Sequence, residues 1–293
     1  MVNGVGLCLA SNRAYAARRD IMASTHSIDT EPRSLPSRLP RALHGVKLNC
    51  VKTDVGSLWM PAKDDVMYNW MRTMASWEPD VSAVIRDGVK GIRSFIDVGA
   101  NIGYFSRLVA LANPACQIEA FEPHPTSYSL LALNVWEFSP RVRCWPLALD
   151  DRNRTVGMHT DPNNLGDTHL QDSQDSEAVD LVVAAAPLDS LCPELSADFV
   201  KIDVQGSELS CIRGMAGVIR RSPAIKILIE FWPARLYETR QDPAAILEAY
   251  RSLGLKIRLL RGDAMMAASD QEILEYCAVS GPAAQANLLL TKR

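Results

Sequence analysis

Apolar positions along this chain fall into two alternating patterns. Short unbroken runs read as buried strands, and runs with three- and four-residue spacing read as helices. The stretch from Phe95 to Phe105 holds both. A strand runs to Asp97, a loop carries Gly99 and Gly103, and Phe105, Leu108, Val109 and Leu111 then follow with helical spacing to Asn113-Pro114. Further strands are predicted to end at Glu122, to span 142–148 and 199–202, and to span 224–231. Helices are predicted over 126–138 and 243–253, and strand-like runs cover 255–260 and 286–291. Strands alternating with helices predict an α/β fold, a Rossmann-like and mostly parallel sheet with helices on both faces. Upstream, 46–60 reads as a hairpin, 68–77 as a helix rich in Met, Trp and Tyr, and 81–89 as a second helix.

The first 45 residues are rich in Arg, Ser and Pro and are expected to be a flexible extension. Residues 46–90 form an expected cap region, and 91–293 the main domain. A polar tract at 160–178 breaks the pattern and is expected to be a loop that covers the site.

Composition adds bounds. The chain has 293 residues, 47% of them hydrophobic and 22% charged, with a formal net charge of −3. That is an ordinary globular balance, with no basic run to advertise a nucleic-acid partner. No apolar run reaches the roughly 18 residues that span a bilayer, so no membrane partner is expected. The seven cysteines are scattered without a Cys-x-x-Cys pair. They read as reduced thiols of a cytoplasmic protein, and no metal site is expected.

The chemistry begins at the loop Asp97-Val98-Gly99-Ala100-Asn101-Ile102-Gly103. Glycine there lets the backbone turn sharply against a ligand. The spacing is Gly-x-x-x-Gly, unlike the dinucleotide fingerprint. An acid at its head repels a diphosphate and suits a ligand with ammonium and sulfonium groups, as in S-adenosyl-L-methionine. A second acid, Glu122, ends the next strand, where it can accept both hydroxyls of a ribose. Pro123 follows it.

A third segment, Lys201-Ile202-Asp203-Val204-Gln205-Gly206-Ser207-Glu208, completes a combination that resembles FkbM-type methyltransferases, a family of class I S-adenosylmethionine-dependent enzymes. The resemblance covers residues 76–232. It implies a sheet of seven strands with the last antiparallel, and O-methylation of a hydroxyl on a secondary metabolite or saccharide. It also implies that Glu78, in Trp77-Glu78-Pro79, contacts the methionine end of the cofactor; a helix-capping acid is the alternative. Gln205 departs from the family, which more often has Glu there.

The expected cofactor set is Glu78, Asp97, Gly99, Ala100, Asn101, Gly103, Glu122, Pro123, Ala148, Asp150 and Asp203. Asp150 is assigned to the adenine amino group, although an Asp also ends strands into turns readily. Candidates for the base that takes the acceptor proton are Asp203, His169 and Glu230. Asp203 equally suits the methionine ammonium, and Glu230 could instead pair with Arg235 or Lys201. The expected partner is a small-molecule acceptor, and a homodimer is compatible with the sequence. Other readings are N- or carboxyl-methylation, a nicotinamide-dependent oxidoreductase, a nucleic-acid methyltransferase and a non-catalytic binding module. The loop spacing opposes the oxidoreductase. The missing Asn/Asp-Pro-Pro-aromatic motif opposes the base methylase, and the intact acids oppose the module.

Overall fold

The structure, a computed structural model, describes residues 35, 37, 39–63, 66–161, 164–171, 179–262, 264–279 and 284–292. Most of the N-terminal extension lies outside them.

Fourteen strands are present among the described residues. They are β1 (Leu48–Thr53), β2 (Gly56–Pro61), β3 (Ser94–Val98), β4 (Gln117–Phe121), β5 (Val142–Trp145), β6 (Ala148–Leu149) and β7 (Arg154–Asp161), followed by β8 (Asn164–Gln171), β9 (Leu181–Ala186), β10 (Phe199–Ile202), β11 (Lys226–Phe231), β12 (Leu255–Arg261), β13 (Ala264–Ala267) and β14 (Ala286–Lys292). The main sheet runs β13-β12-β14-β11-β10-β3-β4-β5. Strands β5, β4, β3, β10 and β11 are mutually parallel, and β14 is antiparallel to both of its neighbours. The architecture is a Rossmann-like, mostly parallel sheet with a reversed last strand. Beyond the seven expected strands, β13 adds an eighth as a hairpin on β12.

The apolar runs are continuous because both faces of these strands are buried. Successive residues serve opposite faces: Phe95 and Phe199 pack in one core cluster, Ile96 and Val200 in the other. Helix α1 (Met67–Met74), α2 (Pro79–Gly88), α3 (Tyr104–Ala112) and α4 (Pro125–Val135) frame the first of these faces. Buried Asn134 ties the hairpin β1–β2 to the loop after β3. Its amide donates to Trp59 O and Ile102 O, and its Oδ1 accepts from Trp59 N–H. Arg107 of α3 reaches the same hairpin through Val55 O.

Two expectations change. The predicted strand 142–148 divides at Pro146, which has no N–H to continue the ladder. Its last residue, Ala148, joins β6 in a second sheet ordered β6-β9-β7-β8. The polar tract at 160–178 is not all loop: β8 pairs antiparallel with β7, with His159 opposite His169. As the edge of a four-stranded sheet, β8 leaves one ladder side unpaired and tolerates polar residues, which hid its period in the sequence. The rest of the tract, 172–178, lies outside the described residues.

Candidate functional site

The carboxyl ends of β3, β4, β10 and β11 open on a cavity of about 260 Å³. Ligands of open α/β sheets bind at such edges. Its wall includes Gly99, Ala100 and Asn101 from the first loop, Glu122 and Pro123 after β4, and Ala148. Asp203, Val204 and Gln205 follow β10, and Glu230 and Trp232 come from β11 and beyond. Trp77 and Glu78 close it from the segment between α1 and α2, and Met158, Thr168 and Leu170 from the β7–β8 hairpin.

Backbone strain gathers here. Five described non-glycine residues have positive φ, and three of them line the cavity: Glu78 at 41°, Asn101 at 48° and Gln205 at 54°. Such conformations cost about 1–3 kcal/mol each and persist where the surroundings over-determine them. Gly99, at φ 75°, is demanded by packing as well as by conformation. A Cβ there would overlap the carbonyl oxygen of Asp203. The first obstacle to a side chain at 99 is the backbone of the neighbouring strand end.

Glu122 is buried, and each oxygen takes one backbone donor. Asn101 N–H donates to Oε2 at 2.9 Å, and His124 N–H to Oε1 at 2.8 Å. Burial pushes its carboxyl up to about 7 against those two bonds. The carboxylate oxygens keep lone pairs for hydroxyl donors.

The second group centres on Lys201, buried within β10 and in register with Asp97. Its ammonium lies 2.9 Å from Asp203 Oδ2 and 4.6 Å from the centre of the Phe105 ring. Burial alone would lower the ammonium's pKa, but Asp203, Asp97 and Glu78 raise it above the ordinary value. Burial also works against Asp203, yet Lys201 and the donors around it hold its carboxyl below the usual range. Glu230 is pushed well above that range by burial and then by the charge of Asp203. Glu78 rises to about 7 for the same two reasons. The Gln205 amide nitrogen bridges two of these acids, 2.9 Å from Asp203 Oδ1 and 2.7 Å from Glu230 Oε2.

Three expected residues sit off the wall. Asp97 is fully buried behind it, with Oδ2 accepting from Ser106 at 2.6 Å and Oδ1 without a partner. Gly103 starts α3, and a Cβ there would crowd Leu131. Asp150 accepts from Arg154 and from Asp151 N–H. His169 lies opposite His159 in the β7–β8 ladder, and its side chain lies outside the described residues. Sequence reasoning passed over Lys201 as a wall residue, along with Trp232, Phe105 and the hairpin residues. Lys201 carried a signal, because a charge inside an apolar strand run must be paired.

The donor set suits S-adenosylmethionine. The charged residues on the described wall are four acids, Glu78, Glu122, Asp203 and Glu230, and one cation, Lys201. A ligand with a sulfonium, an ammonium and a ribose diol meets complementary groups, and a diphosphate does not. Residues 97–257, more than half of the chain, match the family model for the methyltransferase FkbM domain. The chain belongs to that family, and it is an S-adenosylmethionine-dependent methyltransferase.

No curated protein is detectably similar in sequence. Similar solved structures include a precorrin-6y C5,15-methyltransferase from Geobacter metallireducens GS-15, 14% identical over 73% of this chain and 88% of that one, TM-score 0.40. An O-methyltransferase from Thermotoga maritima is 14% identical over 83% and 77%, TM-score 0.42. One from Bacillus cereus, solved in complex with SAH, is 11% identical over 74% and 83%, TM-score 0.42. Among the described residues no helix is long and apolar enough to cross a membrane.

Proposed function

We propose that this enzyme methylates a hydroxyl of an uncharged small molecule, of the kind found among secondary metabolites and saccharides. The supporting observation is the charge of the wall. Lys201 is the one described cation there, and Asp203 occupies it at 2.9 Å. An acceptor carboxylate would enter among four acids with no cation to receive it, and burying an unpaired charge is costly. A hydroxyl finds acceptors for its proton and apolar surface from Trp77, Phe105 and Trp232.

Bound S-adenosylmethionine supplies an electrophilic methyl group. The chain's own residues then have three tasks. Glu122 would hold the ribose hydroxyls, and Asp203, the most acidic of the group, would receive the methionine ammonium. Glu78 and Glu230, on the same wall, are the two acids left for the acceptor's proton. A carboxyl with a pKa near 7, as in Glu78, is matched to proton transfer at neutral pH. Holding acceptor and methyl in line contributes several kcal/mol towards the barrier.

The test is a panel of matched acceptors that differ only in hydroxyl, amine or carboxylate, with S-adenosylhomocysteine formation as the signal. Turnover is expected with hydroxyl acceptors. Faster turnover with the carboxylates would overturn this reading.

A further inference from the structure

Gln205 occupies an unusual place. Its backbone is left-handed, at φ 54°, immediately after β10. Its amide nitrogen has two hydrogens and two partners, Asp203 at 2.9 Å and Glu230 at 2.7 Å. The two acids come from strand ends that pair in the main sheet. A primary amide can donate to two carboxyl groups at once without adding a charge. A carboxylate in the same place would put three acids within hydrogen-bond distance, and an apolar side chain would take a donor from buried Glu230 and from half-buried Asp203.

We infer that Gln205 is a positioning residue: its amide clamps Asp203 and Glu230 at a fixed separation, so that the pair shows the cavity one charged and one neutral carboxyl group. The inference rests on the reading that this cavity holds the cofactor and acceptor. The surrounding charges agree with it. Lys201 on β10 faces Asp203, while Glu78, Glu208 and Asp203 all disfavour charge on Glu230. Asp97 of β3 adds to the negative field on Lys201, and Glu122 senses Asp97 and Asp203. In that field two ionised acids side by side are unstable, and the cheaper arrangement keeps the proton on Glu230. The clamp thus offers one anion to a cationic group of the ligand and a neutral O–H to its partner. That division favours a ligand with one positive end beside an uncharged hydroxyl.

Two variants test this. Gln205→Met keeps the length and removes both donors. Gln205→Glu keeps the shape and adds an acid. Binding of S-adenosylhomocysteine is measured by calorimetry and melting temperature is followed from pH 5 to 8.5, so no acceptor is needed. Gln205→Met is expected to bind about tenfold more weakly, from the loss of charge-assisted hydrogen bonds, with a melting temperature offset that does not vary with pH. The new acid in Gln205→Glu has a folded pKa raised by its neighbours. Protonated, the new acid keeps one of the two donors, and its charge penalty appears only as pH rises through that value. This variant is expected to melt slightly below the parent at pH 5 and several degrees further below it at pH 8.5. Parental affinity in Gln205→Met, or a Gln205→Glu deficit independent of pH, would overturn the clamp alone. Failure of the parent to bind S-adenosylhomocysteine would overturn the clamp and the cofactor site together.

Discussion

The cavity has two sides built in different ways. One is made by the ends of β3, β4 and β10, which rest on the two large core clusters of the main sheet. Its parts interlock: Gly99 packs on the Asp203 backbone, and Asn101 N–H holds Glu122. The other side is the β7–β8 hairpin, whose sheet has a small core of Ala148, Val156, Met158, Val183 and Ala185. A change on the first side disturbs fold and ligand together. A change on the second can alter what the cavity accepts while the main sheet stands. On the proposed function, the cofactor would use the side that cannot vary cheaply, and the hairpin is the side free to vary with the acceptor.

The largest expected effect is on the interlocked side. Gly99→Val needs a β-branched residue at φ 75° and drives its Cβ into the Asp203 carbonyl. It should cost at least ~3 kcal/mol and appear as insoluble or early-melting protein. Thermal denaturation checks it, and a parental melting curve would show that the two strand ends are not locked together.

Asp203→Asn comes next. Buried Lys201 loses its counter-charge, for which about 3 kcal/mol of destabilisation is expected. Affinity for S-adenosylhomocysteine should fall at least tenfold in the same variant. Lost stability with unchanged affinity would make the acid part of the scaffold and not of the ligand site.

Glu122→Gln sharpens the electrostatics. Burial raises the Glu122 pKa from 4.5 to about 7. Protonated Glu122 therefore costs the fold least, and the parent loses stability as pH climbs from about 4.5 to about 7. The variant lacks that dependence. It should gain about 3 kcal/mol relative to the parent at pH 8 over their difference at pH 4. Urea denaturation at both pH values measures this.

The smallest effect is expected on the hairpin. Leu170 is only partly buried, so Leu170→Ala should cost about 1 kcal/mol and leave S-adenosylhomocysteine affinity unchanged. A large loss of cofactor affinity would erase the distinction between the two sides.

The same contrast governs what could be read from the sequence. Strands β3, β10 and β11 were legible because burial on both faces forces unbroken apolar runs, and β10 was placed at 199–202 as observed. Glu122 and Asp203 were legible as cavity residues because each directly follows the end of a strand. That Asp97 lies behind the wall was not legible, since it depends on Ser106, nine positions on in the first turn of α3. Nor was the role of Gly99, whose constraint comes from Asp203, a residue 104 positions distant (203 − 99). The β8 strand was missed because its largely polar sequence, on an edge strand, carries no clear apolar alternation. Met158, Thr168 and Leu170 reach the wall only through that pairing.

The central claim is that the edge formed by β3, β4 and β10 holds S-adenosylmethionine, with Glu122 on its ribose. Calorimetry of S-adenosylhomocysteine against the parent and Glu122→Ala tests it most directly, with circular dichroism to verify that the variant is folded. The parent should bind, with no comparable heat from NAD or NADP. The folded variant should lose about 1–3 kcal/mol of binding free energy as the charge-assisted hydrogen bonds to the ribose disappear. Equal affinity in the parent and the folded variant would contradict the account.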